Sequence, residues 1–559
     1  MFRFSLVLPG TDYLSPLPLI FFIAAISLVL FPAARLEKKA HRSGVLLLVA
    51  GMFLTLSISF YDFIVDDVYI SLRYARNLAE GHGLVFNTDG STPVEGYTNF
   101  LWVMMEAPLF MMKLSDETIL HIIRIAGIIL GWGVILLTYK TINLLTDNFR
   151  SALIGAIFLA AVPEFAFWCV GGLETSMYMF WMMLGLYYYL KESKNSKPHI
   201  VSMIMFCLMA ITRPEGLVFA SAVMFIDFLR NIHLYYTGIE AAKKALRYIV
   251  IGALVFAAVY SVYFLWRFNY YGLPLPNTYY AKKIRSTGYF IHRLRQVSGF
   301  FIPLFPFFAV ALLGYFQLSK NKAPQRLLLA CLLILLVGFS FLARNEWMPG
   351  FRYEVPVLPL LMVFFSVGIT TLIFSPMSQH LSAYKVRIGA ITVSMLFGIF
   401  LLFESRDLQK TGNLFTTKLE RAHVPLGKWL QKYAPADASY ASWDMGAVPY
   451  YSRIRHVVDI NSEGLLNPHT PKYGYDIDRF LADNPTFLVL PPNTDYVRPA
   501  EIRKFYLHKK VINDYEFLFS FSFDKDYLLN VYKNKNVPLS ESAILEGRKL
   551  ALQSRLSLE

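Results

Sequence analysis

Along this chain of 559 residues, runs of about 16–22 apolar residues recur with scarcely a charge inside them, the length an α-helix needs to cross the hydrocarbon core of a bilayer. The hydrophobic fraction is 55% and the charged fraction 16%, too apolar for an ordinary soluble chain of this size. The expectation is a polytopic α-helical membrane protein. Spans are placed near Leu17–Ala34, Val45–Phe60, Ile119–Leu137, Ala152–Phe167, Ser176–Leu190, Ile200–Ile211, Leu217–Phe228, Tyr248–Phe268, Phe300–Phe316, Leu327–Leu342, Pro356–Phe374 and Ile388–Phe403, about twelve in all. The run Phe100–Met112 is apolar but short and reads as interfacial or re-entrant.

The formal charge of +14 is carried mostly by short loops between these runs, so it sets topology and faces anionic lipid. No basic face or binding motif accompanies it, which excludes nucleic acid as the expected partner. Basic residues concentrate in alternate loops: Arg35 to Arg42, Lys191 to Lys197, Arg230 to Arg247, Lys320 to Arg326, and Lys385 with Arg387. Under the positive-inside rule these are cytoplasmic, which puts every polar motif of chemical interest on the opposite face. The same alternation sends everything after about Glu404 outward. Residues 1–404 are thus read as the membrane module, with an acidic first outer loop at 61–118, and 405–559 as an extracytoplasmic soluble domain. There, short apolar runs at Ser439–Trp443, His456–Ile460, Thr486–Leu490, Phe517–Phe521 and Tyr527–Val531 alternate with helix-like stretches at Pro425–Tyr433, Ile477–Ala482 and Arg498–Leu507, an α/β pattern. The three cysteines, Cys169, Cys207 and Cys331, have neither metal spacing nor a disulfide pattern, and no cleaved signal peptide is expected.

The outer loop opens on adjacent carboxylates, Asp66 and Asp67, where an apolar run ends and a helix at Val68–Glu80 begins. One aspartate suffices to cap a helix, and a second costs repulsion. Either could serve as general base toward an acceptor hydroxyl. Glu95, in a turn-rich loop with Tyr97 and Asn99, is a further carboxylate, and the three acids offer hard oxygen ligands to a divalent cation such as Mg or Ca. His82, between Gly81 and Gly83, reads first as a residue at a helix C-terminus. Thr212-Arg-Pro-Glu-Gly216 sets Arg213 beside Glu215 at a helix break, a fork donor suited to an anion, although an arginine there can also snorkel. Glu174 stands at the start of a span, where a carboxylate favours the helix N-terminus. Lys282, Arg344 and Arg352 are outward cations that breach the positive-inside trend, as anion-binding residues do. In the tail, Asp444 and Asp459 sit at strand ends, where both turns and sugar contacts place carboxylates.

Together these motifs resemble those of the bacterial polytopic GT-C glycosyltransferases, and more narrowly the branch containing the mycobacterial terminal arabinofuranosyltransferases. The resemblance rests on Asp66-Asp-Val-Tyr-Ile-Ser-Leu-Arg-Tyr-Ala-Arg-Asn77, Gly81-His-Gly-Leu-Val-Phe-Asn87, Glu95-Gly-Tyr-Thr-Asn99, Gly172-Leu-Glu-Thr175, Thr212-Arg-Pro-Glu-Gly216, Leu275-Pro-Asn-Thr-Tyr-Tyr-Ala-Lys282, Trp347-Met-Pro-Gly-Phe-Arg352 and Asp444-Met-Gly-Ala-Val-Pro-Tyr-Tyr451. Asn345-Glu346 departs from the Gly-Asp pair expected before Trp347. The resemblance implies transfer of a sugar from a polyprenyl-phosphate donor to a hydroxyl of an envelope glycan, lipid or protein, with inversion, at the outer face of a bacterial cytoplasmic membrane. It implies an acid of the first outer loop as base. It also implies that Glu95, His82, Tyr97, Asn99, Glu174, Arg213, Glu215, Asn277, Lys282, Arg344, Glu346 and Arg352 are the residues to look for around substrate. A flippase for the same lipid would instead place ionisable residues at mid-membrane in repeated halves. A non-catalytic envelope scaffold would need no acids at the interface.

Overall fold

The computed structural model describes residues 16–30, 38–281, 287–318, 322–343, 346–374, 383–460, 477–492 and 499–557. The chain divides into two compact units. Met1–Phe63, Ile122–Ser261 and Ser286–Gly412 form the first, and Ile64–His121, Val262–Arg285 and Asn413–Glu559 the second.

Among the described residues, six helices are long and apolar enough to cross a bilayer: Lys39–Ser59, Asp116–Thr146, Glu215–Tyr236, Glu240–Tyr271, Ala323–Leu342 and, with its short 3-10 lead-in, Val355–Phe374. Two bent pairs raise the number to eight if each is one crossing. Hydropathy alone suggests about twelve. Part of the difference is that Leu17–Leu30 and Ile200–Thr212 are shorter apolar helices; Phe100–Met111, read from the sequence as interfacial or re-entrant, is short as well. Two expected spans, Ala152–Phe167 and Phe300–Phe316, are broken rather than continuous. Phe149–Ala161 turns by 64° into Pro163–Val170, and Phe290–Phe301 turns by 69° into Phe305–Gln317. Pro163 opens the second helix of one pair, and Pro306 lies in the first turn of the other. Neither proline can donate the backbone bond that would continue the preceding helix.

In the first unit the helices Phe305–Gln317 and Leu358–Phe374 pack with their backbones close. A Cβ on Gly314 would stand 1.9 Å from the Phe364 carbonyl oxygen, and one on Gly368 would stand 2.0 Å from that of Val310. Small residues permit such approach where no hydrophobic force drives helices together in lipid. Rings from several helices fill the space around Phe158, which packs against Phe22, Phe307, Phe365 and Phe397.

The second unit is a five-stranded sheet with helices on both faces. The strands are β1 (Ser439–Ser442), β2 (His456–Asp459), β3 (Phe487–Leu490), β4 (Tyr515–Ser522) and β5 (Leu528–Asn534), in the order β2-β1-β3-β5-β4. β1 pairs parallel with β2 and β3, while β5 runs antiparallel to β3 and β4. Alternation along β3 sends Phe487 and Val489 into one core and Leu488 and Leu490 into another, so this central strand is apolar throughout. The first core is shared with the outer loop: Ile70, Tyr74, Leu84, Phe86 and Tyr97 pack in the same cluster as Trp429, Tyr440 and Phe519. The loop is thus largely folded, with helices at Asp67–Ala79 and Phe100–Met111.

Candidate functional site

The helix Asp67–Ala79 ends as its sequence predicts. Gly81 takes a φ of +87°, its N–H bonds the carbonyl of Leu78, and the N–H of His82 bonds that of Asn77. This is a Schellman closure, and His82 is exposed just beyond it, in the C-terminal position its neighbours suggest. The N-terminus departs from expectation. Asp66 stands at the N-cap but caps nothing of its own helix. Its carboxylate accepts instead from the backbone N–H groups of Gly446 (3.0 Å) and Ala447 (2.8 Å), where the short helix Ala447–Ser452 starts. Farther along the helix that Asp66 leads, Arg73 donates to the carbonyls of Pro449 and Ile454 (2.6 Å to the latter), and Arg76 donates to that of Tyr450 (2.9 Å). The outer-loop helix therefore grips the short helix by both ends, an anion at its free N–H groups and cations at its free carbonyls. Gly446 is required for the approach: a Cβ there would lie 2.2 Å from the Asp66 carbonyl oxygen.

Around Asp66 stands a second set of groups that no local pattern announces. His423 is buried, and its Nε2 lies 3.1 Å from Asp444 Oδ2. The Tyr527 hydroxyl donates to the same carboxylate at 2.9 and 3.1 Å. Asp66 is partly exposed, yet the dry packing around its carboxyl pushes its pKa up. His423 and the two backbone donors pull it back, Asp444 pushes it up again, and the net is a raised value. His423 is raised in turn: burial disfavours its charge, but Asp444 and then Asp66 more than offset that. Asp67 opens the helix beside this set and is also partly exposed.

Glu95 does not join the aspartates. It is buried, and Arg267 Nε sits 2.9 and 2.8 Å from its two oxygens. Burial raises the Glu95 carboxyl and Arg267 offsets only part of that. Among the described residues no group of three or more His, Cys, Asp or Glu gathers as a metal site, so the three acids are not brought together as cation ligands. The Tyr97 hydroxyl meets that of Tyr271 at 3.1 Å, Asn99 Nδ2 donates to Ser71 Oγ at 2.9 Å, and the Asn277 N–H donates to the Glu95 carbonyl at 3.1 Å. All three are buried and hold the loop in shape. Arg267 lies inside an apolar run, where an unpaired charge is costly; that cost is the signal that it must have a partner.

In the first unit, Glu174, Arg213, Glu215 and Arg352 form one network. Arg352 Nη2 and Arg213 Nη1 both reach Glu174 Oε1, at 2.5 and 3.2 Å, and Arg213 Nε reaches Glu215 at 2.5 Å. Burial would raise Glu174, but Arg352 and then Arg213 hold it below the usual carboxylate range. Two positive and two negative groups compensate one another inside packed protein. Glu346 is buried in the same unit, accepting from the Met348 N–H at 3.3 Å, and its N–H and carbonyl bind the side chain of Gln296. Lys282 and Arg344, with Asn345, lie outside the described residues.

Residues 413–532 match a family model described as a domain of unknown function, DUF8728. No curated protein matches the sequence. The structure is similar to that of ArnT from Cupriavidus metallidurans bound to undecaprenyl phosphate, with a TM-score of 0.58 at 14% identity over 88% of this chain and 99% of that one. Against ArnT in the apo state the TM-score is 0.57, at 13% identity over 88% and 98%. The likeness is one of fold: this chain and the ArnT structures share their overall architecture. With its apolar helices, that makes the chain a multi-pass membrane protein carrying a small α/β sheet domain. An archaeal oligosaccharyltransferase structure, from Archaeoglobus fulgidus in complex with Zn and sulfate, is a more distant likeness at a TM-score of 0.48, 13% identity and 88% and 73% coverage.

Proposed function

We propose that this protein is a membrane glycosyltransferase that moves a sugar from a polyprenyl-phosphate donor to a hydroxyl acceptor. The observation that carries the reading is the Asp66 seat: a carboxylate fixed by two backbone donors, raised in basicity by its dry surroundings, in a fold shared with a protein solved with undecaprenyl phosphate. A base held in one orientation with a raised pKa suits abstraction of a hydroxyl proton. The acceptor O–H proton passes to the Asp66 carboxylate as the acceptor oxygen bonds the anomeric carbon. The carbon–oxygen bond to phosphate breaks with its electron pair, and polyprenyl phosphate departs with inversion at the sugar. Charge on that phosphate calls for cationic donors. The finer reading, a pentose donor and an acceptor in the cell envelope at the outer face of a bacterial cytoplasmic membrane, rests on the motif resemblance and the basic-loop alternation.

The test is release of free polyprenyl phosphate by protein in nanodiscs offered a panel of polyprenyl-phosphate sugars with an acceptor-containing envelope extract. Release with one donor, abolished in Asp66→Asn and kept in Asp67→Asn, is the expected result. The reverse pattern moves the base to Asp67. Absence of release with every donor overturns the transferase reading in favour of transport or scaffolding.

A further inference from the structure

A cavity of about 400 Å³ opens in the second unit, lined by residues 85–87 and 91–94 of the outer loop on one side and by β2 with Arg479, Phe480, Ala482 and Asp483 on the other. It is separate in composition from the Asp66 seat, sharing none of Asp66, His423, Asp444 or Tyr527. The loop is sewn to the sheet edge beside it. The Asn87 amide donates to the Val457 carbonyl at 2.9 Å and accepts from the Val457 N–H at 3.1 Å, as a neighbouring strand would, and the Thr88 N–H donates to the Arg455 carbonyl at 3.0 Å. These bonds fix the cavity wall, and its volume falls in the range of roughly 300–1,000 Å³ that small-molecule sites occupy.

The lining selects a ligand class. Ser91, Thr92 and Arg479 bring polar groups of donor type, Asp459 and Asp483 bring carboxylates, and Val85, Phe86, Pro93 and Phe480 bring apolar surface between them. His456 also lines the wall, hydrogen-bonded to Asp89 and 3.8 Å from Asp483. Acidic groups at least balance the basic ones, which disfavours a phosphate or carboxylate ligand. No metal-holding group exists among the described residues, which disfavours a cation. Hydroxyl-rich molecules with apolar ring faces satisfy both kinds of lining at once. We propose that this cavity binds a neutral saccharide, and that it is the subsite for the acceptor glycan. The second clause rests on the transferase reading above; the first stands without it.

The experiment is saturation-transfer NMR on the full chain in nanodiscs, with maltotriose, mannotriose, galactotriose and arabinotriose as probes. At least one saccharide is expected to receive saturation, and its affinity to drop about tenfold in Asp483→Asn, the loss of one good polar contact. Ala482→Trp, at an exposed rim position, should block binding by filling the space without disturbing a core residue. Inorganic phosphate should not compete. The proposal is overturned if none of the four saccharides binds, if both variants bind like wild type, or if phosphate displaces the sugar. Release of polyprenyl phosphate by wild type is scored separately. Saccharide binding without any release strikes the transferase reading and the acceptor assignment while leaving the saccharide site, so the two failures are told apart.

Discussion

The two units of this molecule handle buried charge in opposite ways. In the first, charges are matched mainly by other side chains. Glu174 takes Arg213 and Arg352, Glu354 takes Arg293, and Asp227 takes Arg230, Asn231 and the Tyr189 hydroxyl. In the second, the Glu95–Arg267 and His423–Asp444 pairs apart, charges are matched largely by backbone. Asp66 holds N–H groups, while Arg73, Arg76 and Arg421 hold carbonyls. The reason is where unsatisfied backbone is found. Long helices bond their own peptide groups internally, so a charge among them finds only side chains. Short helices and loops expose free N–H and carbonyl groups, which a charge can satisfy. The lesson concerns function: a closed network of opposite charges is stiff and neutral, whereas a carboxylate held by neutral donors keeps its basicity and remains available for chemistry.

That contrast can be broken experimentally. Asp66→Asn should lower turnover by about 10²–10⁴-fold, the usual worth of a positioned base; polyprenyl phosphate release reports it, and a folded variant with full turnover would remove Asp66 from the chemistry. In wild type, turnover should also fail on acidification at a higher pH than an ordinary aspartate would allow, because the Asp66 carboxyl is raised and must be ionised to act. Glu174→Gln should destabilise the first unit by about 3–5 kcal/mol, since it leaves two buried guanidinium groups facing an uncharged amide. Thermal unfolding in nanodiscs measures this. Retained stability together with tighter polyprenyl phosphate binding would show the arginines to be an anion site in waiting rather than a structural lock.

Gly446→Ala should cost about 1–3 kcal/mol by overpacking the Asp66 seat, with turnover falling alongside. Unchanged stability would mean that the grip on the short helix is dispensable. The smallest effect is the pH dependence contributed by His423. Its folded pKa lies above the ordinary 6.5, so its contribution is fully present below that value and is lost as pH rises through the folded pKa. Stability should therefore decline on the alkaline side in wild type, and His423→Asn should flatten that decline when unfolding is followed across pH. An identical profile in the variant would mean that the Asp444 pairing does not matter to the fold.

Local signals carried much of this structure. The five strands fall within a few residues of the apolar runs in the tail, and Gly81 ends its helix where a left-handed glycine should. Long-range partners were invisible in the same sequence. Nothing near Asp66 says that its partners are Gly446 and Ala447, some 380 residues away, and nothing near His423 marks it apart from any other histidine. The acids at 66, 67 and 95 look like one set along the chain, yet Arg267 withdraws Glu95 from the other two. Hydropathy ran two spans straight through Pro163 and Pro306, where the structure turns by 64° and 69°.

By itself, then, the sequence determined the membrane class, the positions of most helices and strands, and the residue types from which a site could be built. Those properties follow from hydropathy, period and backbone permissiveness, each read over a few residues. Which carboxylate keeps its basicity, which arginines are neutralised, and where a cavity remains were decided only by tertiary structure. A charge's partner and its local dielectric depend on groups brought together through space, and no short stretch of chain contains them.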